Sequence, residues 1–122
     1  MVNKPKIKGT QFEVDCRDYL RQWWNVERLP TEGKNDRGDL VGVPGFTIEC
    51  KAVQRLAVPQ WLRELDTEKK NAGTDGGFVI VKYPRHSVDV SWTAMRLCDM
   101  VNLLLRLEQN EQPTGSVTST NN

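Results

Sequence analysis

Asp39, Glu49 and Lys51 are the residues whose types and spacing point most directly to chemistry. Glu49 and Lys51 are two positions apart in a stretch rich in strand-forming residues, so on a β-strand both side chains point to the same face. Ile48 and Cys50 then point to the opposite face. Charged residues seldom lie on a packed sheet face without a partner. We therefore expect a metal ion or a charged ligand beside Glu49 and Lys51.

The position of Asp39 depends on a predicted β-hairpin with Pro44-Gly45 at its turn. A simple two-residue turn would pair Leu40 with Glu49 and would send Asp39 to the other face of the sheet. Asp39 lies opposite Glu49 only if the loop has an odd length or one strand contains a bulge. Glycine permits such distortions, and Gly42 and Gly45 are suitably placed. We predict this irregularity, because a regular two-residue turn would exclude a shared site.

Paired carboxylates are typical ligands of Mg2+, which prefers oxygen atoms. The hairpin predicts Asp39 and Glu49 as metal ligands, with the main-chain carbonyl of Cys50 as a further one. Lys51 cannot bind a metal while it is protonated, but it can orient an attacking water and neutralise charge that develops on a phosphate. The combination suits hydrolysis of a phosphodiester bond.

Amphipathic patterns predict the elements around the hairpin. A first helix opens at Gly9-Thr10, where Thr10 as N-cap and Glu13 form a capping box, and it ends near Trp24-Asn25. Residues at helical spacing form its buried face: Phe12, Cys16, Tyr19, Leu20 and Trp23. A short strand at 26–29, the polar loop 31–37 and the hairpin strands near 38–43 and 46–53 follow.

The second half of the chain predicts a helix from Val58-Pro59 to Gly73 and a buried strand over 78–83. In that helix, Trp61, Leu62 and Leu65 are expected to face the core, and Glu68, Lys69 and Lys70 to face solvent. Residues 88–97 alternate as a strand, although a helix from Ser91 is also compatible. Residues 98–108 form a helix that is apolar on more than one face, which suits packing on a partner subunit.

This order of elements predicts an α/β fold, a mixed central β-sheet flanked by helices, in a single domain over residues 1–108. Residues 1–8 form a short, extended basic arm, and the polar residues 109–122 form a disordered tail. The chain has 122 residues and a formal net charge of +1, which neither requires nor excludes a nucleic-acid partner.

Cysteine usage and hydropathy predict a soluble protein of the cytoplasm. The three cysteines, Cys16, Cys50 and Cys98, are widely spaced and indicate reduced thiols. The chain has no apolar run of membrane-spanning length, and its basic N-terminus lacks the apolar segment of a signal peptide. His86 is the only histidine, which excludes a site built on several histidines.

Asp39 followed by Glu49-Cys50-Lys51 resembles the signature of the PD-(D/E)XK nuclease superfamily. Glu13, in a leading helix just after Gly9, resembles the first-helix glutamate of archaeal-type Holliday junction resolvases and their phage-encoded relatives. The resemblance covers roughly residues 9–83 and implies a restriction-endonuclease-like core with the element order αβββαβ. Gly38 stands where the signature's name has proline, a position that varies in the superfamily.

The resemblance implies that Asp39 and Glu49 bind Mg2+, for which Mn2+ would substitute, and that Lys51 assists the attacking water. Glu13 would reach the metal directly or through a water, and no small-molecule cofactor is implied. The implied partners are branched DNA, with a four-way junction favoured, and a second copy of the chain in a homodimer. The location would be the cytoplasm, that of the host if the protein is phage-encoded. Residues expected to contact DNA are Lys4, Lys6, Lys8, Arg17, Arg21, Thr31, Lys34, Arg37, Gln54 and Gln60.

Local structural roles compete with these functional ones. Glu13 is also explained as the capping-box partner of Thr10, and Glu49 with Lys51 as an exposed ion pair. The whole chain is compatible with a structure-specific, nicking or restriction-like nuclease on another DNA substrate, or on RNA. It is also compatible with a non-catalytic DNA-binding module that has a nuclease fold.

Overall fold

The protein is built on a five-stranded mixed sheet with three helices in the residues that the computed structural model describes, 4–30 and 35–111, with side chains for 9–30 and 35–110. This architecture confirms the predicted α/β fold. None of the described helices is both long and apolar enough to cross a membrane. The elements in chain order are α1 (Lys4–Leu20), β1 (Glu27–Arg28), β2 (Leu40–Val41), β3 (Phe46–Lys51), α2 (Val58–Ala72), β4 (Gly76–Val81), β5 (Trp92–Ala94) and α3 (Leu97–Glu111).

The strands lie in the order β1-β2-β3-β4-β5, and only β3 and β4 run parallel. Parallel neighbours need a crossover connection, and α2 supplies it. The carboxyl ends of β3 and β4 consequently meet at one edge of the sheet, with Lys51 beside Val81. This edge contains Lys51, so the chemistry predicted from Glu49 and Lys51 would take place here.

Two hydrophobic clusters cover the two faces of the sheet. Ile48 and Ile80 pack in the cluster that contains Phe12 and Cys16 of α1. Val79 and Val81 pack in the cluster that contains Trp61 and Leu65 of α2. Because side chains alternate along a strand, the members of β3 that pair with Val79 and Val81 lie on the α2 face. Those members are Glu49 and Lys51, and the predicted shared face is therefore confirmed.

The hairpin between β2 and β3 has the irregular register that a shared site requires. Leu40 pairs with Ile48, which sets Asp39 opposite Glu49 and confirms the prediction. The turn itself is a hydrogen-bonded Pro44-Gly45 turn, in which the Phe46 N–H donates to the Val43 carbonyl over 3.1 Å and Gly45 has a φ of +81°. The extra residue is absorbed at Gly42, whose φ is +128°.

Gly42 also allows a close backbone approach. A Cβ at this position would lie 2.2 Å from the Asn25 carbonyl oxygen, far inside van der Waals contact. Asn25 directly precedes the fully buried Val26, which leads into β1. The missing side chain thus lets the β1 segment and the hairpin pack together while the register shifts by one residue.

Helix α1 begins six residues earlier than the sequence predicts. Residues 4–8, expected as an extended basic arm, are helical, and Thr10 lies inside the helix, so the predicted capping box is wrong. Pro5 in the first turn is compatible with helix, and Gly9 costs a helix interior only about 1 kcal/mol. The helix ends at Leu20 rather than near Trp24-Asn25, and turns complete the connection.

Several side chains and boundaries also depart from the predictions. Trp23, expected in the core, is 57% exposed and packs edge-to-face on Tyr19.

Within 88–97, residues Val88–Val90 form a 3-10 turn and only Trp92–Ala94 form a strand, because this edge strand pairs with β4 on one side alone. Strand β4 ends at Val81, and α3 extends to Glu111, beyond the predicted end of the domain. Residues 112–122 of the predicted tail lie outside the described part.

Helix α3 is attached to the body largely through polar contacts. The Lys69 Nζ of α2, expected to face solvent, lies 2.7 Å from the Asp99 Oδ2, and Asp99 is buried. The Lys69 stem crosses the sheet over Gly77, where a Cβ would lie 3.0 Å from the lysine Cδ. A second ion pair, Arg96 with Asp66, joins the start of α3 to α2.

We predict opposite effects for alanine at two glycines. Gly42→Ala lowers the free energy of unfolding by more than about 2 kcal/mol, because it combines a clash with backbone and a left-handed φ. Gly9→Ala raises it by about 0.5–1 kcal/mol, since Gly9 is inside α1 and a Cβ there meets no atom within 4 Å. Urea denaturation measures both. Equal effects at the two positions would contradict the register shift at Gly42.

Candidate functional site

Asp39 is fixed at the start of the hairpin by the backbone of β3. Its N–H donates to the Ile48 carbonyl over 2.8 Å, and its Oδ2 accepts a hydrogen bond from the Cys50 N–H, also over 2.8 Å. Burial raises the pKa of Asp39 to about 6; the Cys50 N–H opposes this rise, and the charge of Glu13 adds to it. Oδ1 accepts no hydrogen bond from any described residue, so it is available to a cation or a water.

Glu49 is the central carboxylate of the site. It lies on the α2 face of β3, with only 6% of its surface exposed. Its Oε2 is 3.7 Å from the Lys51 Nζ, whereas its buried Oε1 has no hydrogen-bond partner. Burial, and then the negative charges of Asp39 and Glu68, raise the pKa of Glu49. A buried oxygen without a donor is costly, and a cation is the partner that would satisfy it.

Glu68 is a site residue that the sequence prediction placed in solvent. It is 5% exposed, and its Oε1, like that of Glu49, is buried without a hydrogen-bond partner. Burial raises its pKa. The spacing Trp61, Leu65, Glu68 follows the helical repeat of i, i+4 and i+7, so Glu68 lies on the buried face of α2. This spacing was visible in the sequence, and it could have identified Glu68 as an acidic residue on an apolar face.

Asp36 completes a group of three carboxylates that could hold one metal ion. One oxygen each of Asp36, Glu49 and Glu68 lies within 4.8 Å of the others. Asp36 was expected in an exposed polar loop, but it is partly buried and its Oδ1 accepts a hydrogen bond from the Gly38 N–H. Its main-chain carbonyl accepts a further hydrogen bond from the Asn71 side chain of α2. These contacts bring the loop to the site, which sequence spacing alone does not indicate.

The donor set fits a hard divalent cation. All three groups are carboxylates, two have a buried oxygen without a hydrogen-bond donor, and close carboxylates repel each other unless a proton or a cation lies between them. Of the predicted metal ligands, Glu49 belongs to this group. Asp39 does not, although it is close enough to raise the pKa of Glu49. Ligation by the Cys50 carbonyl stays a prediction.

Lys51 is a charged residue held at the rim of the carboxylate group. Its Nζ lies 3.7 Å from Glu49 and 3.5 Å from Glu64, and it stands over the Trp61 ring at 5.9 Å from the centroid. Burial tends to lower the pKa of Lys51, but the neighbouring carboxylates outweigh it and raise the pKa. Lys51 is thus protonated at neutral pH, as the predicted role in neutralising phosphate charge requires.

Glu13 lies on α1, which covers the opposite face of the sheet from α2. Its Oε1 is 3.2 and 3.3 Å from two guanidinium nitrogens of Arg28 on β1. The local role of Glu13 is therefore an ion pair rather than a helix cap. Its charge nevertheless contributes to the raised pKa of Asp39, so it belongs to the same electrostatic site. Its contact with a metal stays a prediction.

The predicted DNA contacts divide into three sets. Thr31, Lys34 and the side chains of Lys4, Lys6 and Lys8 lie outside the described part. Arg17 and Arg21 have acidic partners in Asp18 and Glu27, and Gln60 donates to Glu64. Arg37 and Gln54 are exposed.

The arrangement as a whole joins carboxylates that could bind a metal to the positive charge of Lys51 at one sheet edge. A cation held there would face Lys51, and an anionic group such as a phosphate could contact both. Hydrolysis of a phosphate ester is the chemistry that such a site supports. No protein-family model matches this chain, and no curated protein is similar to it.

We predict that the metal-free protein loses stability as pH rises, and that Glu68→Gln removes part of this loss. A carboxyl whose pKa is raised on folding binds more protons in the native state. The stabilisation from this extra proton binding is complete when the pH is below the ordinary pKa of about 4.5. It disappears as the pH rises through the raised pKa of the folded state. Thermal melts between about pH 5 and about pH 8 measure the effect, and Mg2+ at the upper pH should raise the melting temperature of the wild type more than that of Glu68→Gln.

The matched control is Glu108→Gln, an exposed glutamate of α3. It should follow the wild type at every pH, with and without Mg2+. A Glu68→Gln variant whose melting temperature falls with pH as steeply as that of the wild type would contradict the assignment of a buried, proton-binding carboxylate.

Proposed function

We propose that the protein is a Mg2+-dependent endonuclease that hydrolyses phosphodiester bonds of DNA, with a four-way junction as its preferred substrate. The single observation that carries the chemistry is the pair of buried carboxylate oxygens of Glu49 and Glu68, which have no hydrogen-bond donor, in a site shared with Lys51. A divalent cation is a single partner that would satisfy both oxygens. The preference for a junction rests on the resemblance of Glu13, Asp39, Glu49 and Lys51 to the resolvases, and the cytoplasm is the location that we assign.

Each residue has a distinct task in the proposed reaction. Glu49, Glu68 and Asp36 would hold the metal. The Oδ1 of Asp39, which accepts no hydrogen bond from a described residue, would be a further oxygen ligand or would bind a water. The metal, when bound, supplies Lewis-acid polarisation of the phosphate and a water of lowered pKa. Lys51, kept protonated by Glu49 and Glu64, donates hydrogen bonds to the phosphate oxygens and offsets the charge that grows on them.

The Cys50 N–H has a positioning task in this scheme. It donates to Asp39 over 2.8 Å, and Cys50 lies between Glu49 and Lys51 in β3. Three consecutive residues of β3 therefore set the site: Glu49 and Lys51 provide side chains, and Cys50 holds Asp39 by a hydrogen bond. Their relative positions do not depend on a flexible loop, which suits a reaction that depends on orientation.

We predict that Asp39→Asn and Glu49→Gln each slow Mg2+-dependent cleavage by at least about 100-fold, because each removes a negative charge from the site. The substrates are labelled four-way junction, flap and linear duplex of matched sequence, each with and without Mg2+. The matched control is Asp89→Asn, an exposed carboxylate in the 3-10 turn, which should cut at the wild-type rate.

The outcomes separate the alternatives. Faster cutting of the junction than of the flap or the duplex supports a resolvase, whereas equal rates indicate a less selective nuclease. Cutting that survives both substitutions would remove the assignment of the active site. Binding without cutting, in Mg2+ and in Mn2+, would identify a non-catalytic DNA-binding module.

The homodimer belongs to the proposal because paired incisions need two sites and one chain supplies one. The outward face of α3 suits the second copy. Leu97, Met100, Leu104 and Leu107 follow the a and d positions of a heptad, and all four are exposed, Leu97 by 78%. The polar residues of the helix turn the other way, with Asp99 bound to Lys69 and Arg106 near Asp75.

Charge favours a second copy on this outer face of α3. Asp99 and Arg106 are the only charged residues from 97 to 107, and both interact with the body, so the face presents no charge that would select an acidic or basic partner. The chain has a formal net charge of only +1, so two copies repel each other weakly. A two-fold pairing of α3 with itself would cover both apolar faces at once.

We predict that Leu104→Glu weakens self-association at least about tenfold, because it places two charges in the paired seam. Sedimentation velocity over a concentration series measures the change. Gln109→Glu adds the same charge on the opposite side of α3 and should leave the dimer intact. A wild-type chain that sediments as a monomer, or a Leu104→Glu variant with unchanged association, would contradict this interface.

A further inference from the structure

The chain leaves β4 through a tight turn that contains a strained residue. The His86 N–H donates to the Tyr83 carbonyl over 3.2 Å, with Pro84 and Arg85 at the two central positions. Arg85 has a φ of +65° and is the only residue other than glycine with a positive φ in the described part of the chain. Glycine or asparagine normally occupies this position. Such backbone strain persists where the surrounding structure fixes it, and it is concentrated at functional sites.

The turn places two rings face to face. The ring centroids of Tyr83 and His86 lie 3.8 Å apart, and their planes differ by 3°. The His86 Nδ1 lies 2.9 Å from the Pro84 carbonyl, and because a carbonyl only accepts, Nδ1 carries the hydrogen that fixes this ring. Tyr83 is 48% exposed, so the pair, which we call the Tyr83–His86 platform, is open to solvent.

The platform lies next to the candidate active site. The Lys82 N–H donates to the Lys51 carbonyl over 2.9 Å, so the residue before Tyr83 is hydrogen-bonded to the proposed phosphate-binding lysine. Tyr83 is two residues beyond Val81, the partner of Lys51. Two residues of extended chain span about 7 Å, so the Tyr83 backbone follows closely on the strand position that is paired with Lys51.

Three cationic residues follow β3 and β4 at the same edge. Arg55 follows β3, and Lys82 and Arg85 follow β4; none of these three makes an ion pair with a described residue. Because the carboxyl ends of β3 and β4 meet, these three residues follow the strands at the edge that contains Lys51, and each is a candidate for contact with a phosphate near the cut.

We propose that an unstacked base of the DNA strand stacks on the Tyr83–His86 platform, next to the phosphate that is cut, while Arg55, Lys82 and Arg85 bind neighbouring phosphates. Aromatic rings accept any base through its face, so the contact reads strand geometry and not sequence. This inference rests on the proposed nuclease function. It deepens that function by naming the substrate feature that the site would recognise, an unpaired base beside the cut.

The test measures binding and cleavage separately. Two DNA substrates, a single strand and a four-way junction, each contain a 2-aminopurine base near the expected cut. Both are titrated with protein in Ca2+ instead of Mg2+, and a fully paired duplex is the comparison. We expect the wild type to change 2-aminopurine fluorescence on the first two substrates. Tyr83→Ala and Tyr83→Leu should bind them about tenfold more weakly and lose the fluorescence change, whereas Tyr83→Phe should retain both.

Two controls separate stacking from other effects. Trp23→Ala removes an exposed aromatic ring that belongs to another part of the fold and should bind as the wild type does. Arg85→Gly keeps the turn, because glycine accepts the positive φ, and removes one charge. It should retain the fluorescence change and reduce the slope of log affinity against log salt by about 0.7, the value for one phosphate contact on a single strand.

The two proposals fail in different ways. If the wild type cuts DNA while Tyr83→Ala binds and cuts unpaired substrates equally well, the platform is overturned and the nuclease stands. An equal loss of affinity for paired duplex would also overturn it, since a paired base is not available for stacking. If the wild type neither binds nor cuts any of the three substrates, the proposed function fails, and the platform fails with it.

Discussion

The structure depends most on the burial of Glu49 against Glu68 between β3 and α2. Carboxylates lose hydration when they are buried, and two of them together also repel each other, so the free energy of folding contains an unfavourable contribution at the point where the sheet and helix should pack best. The surrounding residues limit this contribution. Lys51 supplies a positive charge, and the raised pKa values of Glu49 and Glu68 mean that these carboxyl groups keep their protons to a higher pH.

A second constraint is the register of the hairpin, which a single glycine sets. With the simple pairing, Asp39 would lie on the α1 face and its hydrogen bond to the Cys50 N–H would not form. The shift of one residue at Gly42 is compatible with a standard Pro-Gly turn, because the distortion is located beside the turn and not within it. Backbone geometry outside the site thus decides which side chains share it.

Local patterns were sufficient to predict part of this arrangement. Helix α2 begins at Val58 and ends before Gly73 as expected, because proline and glycine have position-specific effects at helix ends. The shared face of Glu49 and Lys51 follows from alternation along a strand. Asp36 could not be predicted in this way, since its place depends on contacts from a loop to α2 that are distant in sequence. The charge of Glu68 predicts exposure and its helical spacing predicts burial, and the structure follows the spacing. Gly9 predicts a helix boundary, but α1 continues through it.

An ion pair between Lys69 of α2 and Asp99 joins helix α3 to the rest of the protein. This mode of attachment has an evolutionary consequence. The contact needs one long side chain, one carboxylate and the open backbone at Gly77, and it includes none of the residues of the acidic site. The proposed association surface and the proposed hydrolytic site can therefore diverge independently. Exchange of the outer surface of α3 would let the same core acquire a different quaternary arrangement.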